Sequence, residues 1–340
     1  MILASNLACQ PSTVSRWQTE LADAVASVRE LLEVLQLDPR IAVGSDAGEH
    51  SFRLRVPRSY VKRMRRGDAH DPLLRQVLPV TEEHSEHSGF AADPLAEHAA
   101  ITAPGLLRKY RGRALLIATS ACAVHCRYCF RREFPYEAQV DAPRWREALA
   151  CIARDEQIEE VILSGGDPLS LSDARLTLLT QALESIPHVR RLRVHTRLPV
   201  VLPSRVDAGL LGWLTGLRRP TVIVLHTNHA NEIDEEVRAA CMKLRHTGAT
   251  LLNQSVLLKG VNDDSAVLAE LSARLFESGV LPYYLHLLDR ARGTAHFEVE
   301  EPRARRIAGE LMAALPGYLV PRLVRERAGA PAKVPLAPLL

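Results

Sequence analysis

From about residue 106 onward, short apolar runs alternate with helix-length amphipathic stretches, and this rhythm constrains the fold more than any other property of the chain. The runs fall at 114–119, 160–164, 191–196, 221–227, 250–258 and 282–288. Between them, the spacing of apolar residues predicts helices near 143–154, 172–185, 207–215, 234–246 and 264–278. Strands that alternate with helices pair in parallel, with the helices outside. Six units are fewer than the eight of a closed barrel, so the expected fold is α/β, an open partial (β/α)6 barrel. In such folds the chemistry sits at the C-terminal ends of the strands. Reactive residues should therefore recur just past the apolar runs.

They follow five of the six. The first run ends in Cys122-Ala-Val-His-Cys126-Arg-Tyr-Cys129-Phe-Arg-Arg, with cysteines spaced C-x3-C-x2-C. The second ends Leu163-Ser-Gly-Gly-Asp-Pro168, where paired glycines let backbone amides approach a ligand. The fourth ends Leu225-His-Thr-Asn-His229, the fifth carries Asn253-Gln-Ser255, and the sixth ends Leu288-Asp289. Each residue taken singly is also compatible with a turn or a satisfied buried polar group. Their common placement is the informative part.

A compact loop with three thiolates can hold three corners of a four-iron cube and leave the fourth iron open to a chelating small molecule. The alternative is a zinc knuckle completed by His125 or by a distant residue. Zinc sites usually come as two spaced pairs, and Cys9, Cys151 and Cys241 are isolated. Three packing cysteines would not be grouped on one arginine-rich loop.

With 340 residues, 47% of them hydrophobic and 24% charged, the chain has the composition of a soluble globular protein. A net charge of +3 gives no argument for nucleic acid, and no run approaches the roughly 20 apolar residues of a membrane span. The start, Met1 to Cys9, ends in a lipobox-like Leu-Ala-Cys but lacks a basic leader and an adequate apolar core. A cytoplasmic location is expected, which also suits thiols grouped as ligands rather than disulfides. Residues 12–36 read as one amphipathic helix capped by Ser12 or Thr13, packing on the main domain or a second subunit. The basic run Arg53 to Arg66 reads as a solvated helix face, and Asp71-Pro-Leu-Leu and Ala92-Asp-Pro-Leu-Ala96 read as short turns. The expected organisation is an N-terminal helical and mixed extension over 1–105, the partial barrel over 106–300, and a C-terminal helix and lysine-bearing tail over 301–340.

Only five of the 43 basic residues are lysine, so a lysine in this chain draws attention. Lys333 stands in Val324-Arg-Glu-Arg-Ala-Gly-Ala-Pro-Ala-Lys333, among small residues. Composition permits two readings. One is a Pro/Ala tail with a solvated lysine. The other is a small-residue loop that brings the amine to the barrel mouth, to form a Schiff base with pyridoxal phosphate, for which a primary amine is obligatory.

The cysteine spacing, with an aromatic residue before the last cysteine, resembles the signature of the radical S-adenosylmethionine enzymes. A narrower resemblance rests on Leu163-Ser-Gly-Gly-Asp167, Leu225-His-Thr-Asn-His-Ala-Asn-Glu-Ile233, Asn253 to Asp263, Leu281-Pro-Tyr-Tyr-Leu-His-Leu-Leu-Asp289 and Gly293-Thr-Ala-His-Phe297. Together these resemble the lysine 2,3-aminomutase family over about residues 106–336. The resemblance implies that Cys122, Cys126 and Cys129 hold a [4Fe–4S] cluster. Gly165, Gly166, Asp167, His226 and Gln254 would lie around S-adenosylmethionine. Lys333 would carry pyridoxal phosphate, with Arg113 and Lys109 on its phosphate. Arg131 would pair with the substrate carboxylate, and Asp289 with Glu326 would hold the distal ammonium of L-lysine.

The implied activity is an isomerase that converts L-α-lysine to (R)-β-lysine. Gly329-Ala-Pro-Ala332 before the lysine, Glu at 326 and the short tail resemble the branch that serves modification of translation elongation factor P. That branch implies a reductase or flavodoxin-type electron donor, a functional link to an elongation factor P lysyl ligase, and a homo-oligomer, with no nucleic-acid or membrane partner. The rival readings are a catabolic lysine 2,3-aminomutase, a radical enzyme acting on another amino acid, a radical enzyme acting on RNA or protein without pyridoxal phosphate, and a zinc-stabilised nucleic-acid-binding protein.

Overall fold

The computed structural model describes residues 14–42, 52–139 and 142–339. Ten strands form one sheet in which spatial neighbours are also sequence neighbours. They are β1 (Ile101–Ala103), β2 (Leu106–Leu107), β3 (Arg113–Thr119), β4 (Glu160–Gly165), β5 (Arg191–Thr196), β6 (Thr221–Leu225), β7 (Thr250–Val256), β8 (Leu281–His286), β9 (Arg322–Arg325) and β10 (Val334–Pro335). Pairing is parallel from β3 through β9. It is antiparallel from β1 to β3 and between β9 and β10.

Among the described residues two helices longer than four residues precede the sheet, α1 (Arg16–Ala22) and α2 (Val28–Leu35). The crossovers carry α3 (Ala142–Arg154), α4 (Asp173–Glu184), α5 (Ala208–Gly216), α6 (Glu235–His246), α7 (Ser265–Glu277) and α8 (Glu301–Ala314). Sequence sets their starts: Ser172, Asp207, Asp234 and Asp264 each accept a hydrogen bond from an amide of the first helical turn. Since the strand order never reverses, every right-handed crossover places its helix on the same face of the sheet. The sheet therefore curls around its other face into an open barrel. β4 is buried along its whole length, as a central parallel strand should be.

The six runs and five helices read from the sequence are present, with ends moved by a few residues. β9 makes a seventh parallel strand. Its Arg322-Leu-Val-Arg325 has two apolar residues between arginines, too little to register as a run. The tail continues the sheet: Val334 pairs with Arg325 and Pro335 with Val324, which sets Lys333 opposite Glu326 across a hairpin.

The expected helix over 12–36 is two helices. Between them Val25 is extended and exchanges both backbone hydrogen bonds with Val56, each 2.9 Å. The apolar periodicity runs through the break because Trp17, Val25, Val28, Leu32 and Leu35 are buried on either side of it, while Val14 is exposed. The observed caps are Ser15 and Ser27; Cys9, Ser12 and Thr13 lie outside the described residues. The basic run 53–66 is only partly solvated. Arg58 pairs with Asp23 and Glu30, and buried Arg63 donates to the carbonyls of Val200 and Glu232. Asp71 caps a one-turn helix, Pro72–Arg75, as its turn motif implied. Among the described residues no helix is long and apolar enough to cross a membrane.

Candidate active site

The C-terminal ends of the parallel strands surround a cavity of about 370 Å³. It is lined by all fourteen residues singled out above: Cys122, Cys126, Cys129, Lys109, Arg113, Arg131, Gly165, Gly166, Asp167, His226, Gln254, Asp289, Glu326 and Lys333. The β3 end supplies the thiols and the β9–β10 hairpin supplies the amine, so the first and last parallel strands meet across one space.

The glycines are required by the close approach of two loops. Gly165 has φ of +121°, and a Cβ there would lie 2.5 Å from the Thr119 carbonyl. A Cβ on Gly166 would lie 2.3 Å from the Ala121 carbonyl, in the segment leading into Cys122. Gly166→Ala is therefore expected to push the cysteine loop outward, destabilising the fold by about 1–3 kcal/mol. Iron content per chain after anaerobic reconstitution checks this, with the variant retaining less iron than the wild type.

The three thiols fit a cluster. Burial pushes Cys129 up to about 11, with Cys126 adding to it, and burial together with Cys129 raises Cys122. Cys122 and Cys129, raised in this way, stay protonated until a metal displaces the protons. No three His, Cys, Asp or Glu side chains converge on a single-ion position among the described residues. A cube takes its thiolates at separate corners. His125, the proposed fourth zinc ligand, has its Nδ1 2.6 Å from the Arg53 carbonyl.

An alternating chain of charges crosses the cavity. Arg131 donates through Nε and Nη2 to the Glu97 carboxylate at 2.6 and 2.9 Å, and through Nη1 to Ser164 at 3.0 Å. Lys109 Nζ lies 3.1 Å from Glu97 and 2.7 Å from Glu326. Lys333 Nζ donates to the other oxygen of Glu326 at 2.8 Å. Burial raises the Glu326 carboxyl, but Lys333 and Lys109 outweigh it and hold it well below the usual carboxylate range. Asp289 has no such pairing: burial, then the neighbouring charge of Glu326, pushes it up to about 7.

Placement refines the expectations for individual residues. Lys109 is engaged by two carboxylates, whereas Arg113 has no carboxylate partner among the described residues and lies 5.0 Å from the Tyr110 ring. Arg113 thus lines the cavity with a guanidinium that no carboxylate of the described residues engages. Asp167 lines the cavity, but its carboxylate accepts from the Thr196 hydroxyl and the amides of Leu169, Arg197 and Leu198. It ties the β4 loop to the β5 loop. His226 and Gln254 meet at 2.9 Å, and burial lowers His226 to about 3, so the imidazole is neutral. Buried His195 Nε2 and His286 Nε2 also line the cavity without a hydrogen-bond partner, as polar groups do where a ligand completes them.

Glu97, Ser164 and Arg197 were not anticipated. Glu97 opens a short 3-10 helix, Glu97–Ala100, 34 residues from the arginine it orients, and no local pattern marks it. Arg197 directly follows β5, so the strand-end rule itself could have found it.

A family model for the radical SAM superfamily matches residues 116–271. L-lysine 2,3-aminomutase of Escherichia coli strain K12 is 49% identical over 323 residues, covering 94% of each chain. The protein of that name from Haemophilus influenzae is 47% identical, covering 93% of this chain and 94% of its own.

The chain belongs to the lysine 2,3-aminomutase family.

A more distant member, L-lysine 2,3-aminomutase of Clostridium subterminale, is 34% identical over 95% of this chain and 78% of its own. The crystal structure of Streptococcus suis SuiB bound to S-adenosylmethionine shares the fold at TM-score 0.50 and 13% identity, over 64% of this chain and 51% of that one. The chain thus spans about half the length of that structure. As a radical SAM member of the aminomutase family it is an isomerase, and membership implies a [4Fe–4S] cluster and S-adenosylmethionine.

Proposed function

We propose that this aminomutase converts L-α-lysine to (R)-β-lysine with pyridoxal phosphate on Lys333, in service of modifying translation elongation factor P. The observation that carries the reading is the meeting of the Lys333 amine and the three thiols in one cavity. Support for the translation-factor role comes from the resemblance at Glu326 and Gly329–Ala332. A cytoplasmic homo-oligomer served by a flavodoxin-type donor, with a lysyl ligase downstream, belongs to the same reading.

When bound, the cluster supplies an electron, S-adenosylmethionine the radical that takes the β-hydrogen, and pyridoxal phosphate the π system across which nitrogen moves. The chain's own residues bind and orient. Arg131, oriented by Glu97 and Ser164, presents its remaining edge to the substrate carboxylate. Asp289 and Glu326 face the distal ammonium, an arrangement that would repel the side chain of glutamate. Lys333 would hold the cofactor, and Glu326, which faces both Lys333 and Lys109, would stand beside the substrate's distal ammonium. Fixing both ends of the zwitterion aligns the β-carbon for hydrogen removal.

The test is anaerobic incubation of reconstituted protein with L-lysine, S-adenosylmethionine, pyridoxal phosphate and dithionite, with products read by mass and chirality. (R)-β-lysine is the expected product. Release of 5′-deoxyadenosine without any β-amino acid from lysine would overturn the substrate assignment in favour of another amino acid.

A further inference from the structure

Arg197, the first residue after β5, is a buried cation that the reaction outlined above does not use. Its Nη1 donates to the Cys126 sulfur at 2.7 Å. Its Nη2 donates to Gln76 at 2.7 Å, Glu232 at 2.9 Å and the Tyr60 hydroxyl at 3.0 Å. Its backbone amide is fixed by Asp167 at 2.7 Å.

The partners are themselves locked. Gln76 donates to Glu232 at 3.1 Å, and Asn228 donates to Gln76 at 3.0 Å and to the Tyr128 hydroxyl at 2.7 Å. Glu232 also accepts the backbone amides of Asn228 and His229. The guanidinium lies 5.3 Å from the Tyr60 ring and 5.7 Å from the Tyr128 ring. Tyr128 belongs to the cysteine loop, and Tyr60 and Gln76 to the N-terminal extension. The network therefore clamps the loop from both sides. Among the described residues no other guanidinium hydrogen-bonds a thiol of the trio.

We propose that Arg197 is a positioning residue for the cluster: it fixes the Cys126 sulfur and, by donating a hydrogen bond to it, raises the cluster's reduction potential. The inference rests on the cluster reading of the three cysteines. Reduction by one electron places added charge partly on the thiolate sulfurs, so a donor aimed at one of them stabilises the reduced form more than the oxidised form. Glu232 offsets the charge of Arg197, but it does so at the far nitrogen. The N–H directed at sulfur remains. A buried, preorganised donor of this kind is not screened by solvent, and every observed contact holds it in line.

The test uses full-length protein reconstituted anaerobically with iron and sulfide. Arg197→Met combined with Glu232→Gln removes both buried charges together, which avoids leaving a carboxylate unpaired. At an applied potential where the wild type is half reduced, the double variant is expected to show an about tenfold lower ratio of reduced to oxidised cluster, a shift of 59 mV for one electron. Arg197→Lys, which keeps the charge but loses the fork, should fall between the two. A double variant with full iron content and an unchanged midpoint would overturn the proposal.

A second measurement does not depend on the variants folding. In wild-type protein grown with 15N-arginine, pulsed electron paramagnetic resonance of the reduced cluster should detect a coupled nitrogen. Absence of that coupling would overturn the proposal as well. A wild type that assembles no four-iron cluster would instead sink the cluster reading itself.

Discussion

Replacing Lys333 by methionine should abolish covalent attachment of pyridoxal phosphate and lower lysine turnover by at least about a thousandfold, because tethering supplies an effective molarity of about 10⁵ M or more that millimolar cofactor in solution cannot match. The fold should survive the change. Glu326, the partner of Lys333 at 2.8 Å, keeps Lys109 at 2.7 Å, so no carboxylate is stranded. Iron content should be unaffected, since the thiols come from the β3 end and the amine from the β9–β10 hairpin. Borohydride reduction followed by peptide mapping makes the test: the wild type is labelled at Lys333 and the variant nowhere. Label on another lysine, or turnover close to wild type, would remove Lys333 from its assigned role.

Asp289→Asn should cost about 3–5 kcal/mol in binding of the distal ammonium, as truncation of one side of a buried ion pair does. That corresponds to roughly 10²–10⁴-fold in kcat/KM. The pH profile provides a sharper readout. Burial and Glu326 push Asp289 up to about 7, so on the acid side of that value the free enzyme holds a neutral carboxyl with no charge to offer the ammonium. Hence kcat/KM of the wild type should fall about tenfold per pH unit below the transition and level off above it. In the bound complex the ammonium favours the carboxylate and moves the transition to lower pH, so kcat should be flatter than kcat/KM. The asparagine variant should lose the acid limb altogether. A wild-type kcat/KM that stays level across a pH unit on either side of 7 would contradict the assignment.

The parts of this molecule that could be read from sequence are those that repeat or that carry a rare residue type. Crossover helices α3 to α7 announce themselves by period, α4 to α7 also by Asp or Ser caps, and β3 to β8 by apolar runs between them. The thiols, the glycine pair and Lys333 stand out because few residue types can do what they do. Residues whose importance is relational were hidden. Glu97 acquires meaning only when the fold brings it to Arg131, and Val25 only when it pairs with Val56. The break between α1 and α2 was masked because both halves bury the same apolar face. β9 was missed because its position beside β8 is fixed by tertiary pairing rather than by its own four residues. Asp167 was legible as a strand-end carboxylate, but not its four hydrogen-bonded partners.

The thiols and the amine stand at opposite ends of the sheet, and this has a consequence for biosynthesis. Cys122 leaves the ribosome 211 residues before Lys333, an interval of roughly 10–40 s at about 5–20 residues per second. During it the nascent chain comes to carry the three thiols but lacks the lysine proposed to tether the second cofactor. On the proposed function, a chain cut short before Arg322 would carry the thiols of the cluster without the amine that tethers the second cofactor.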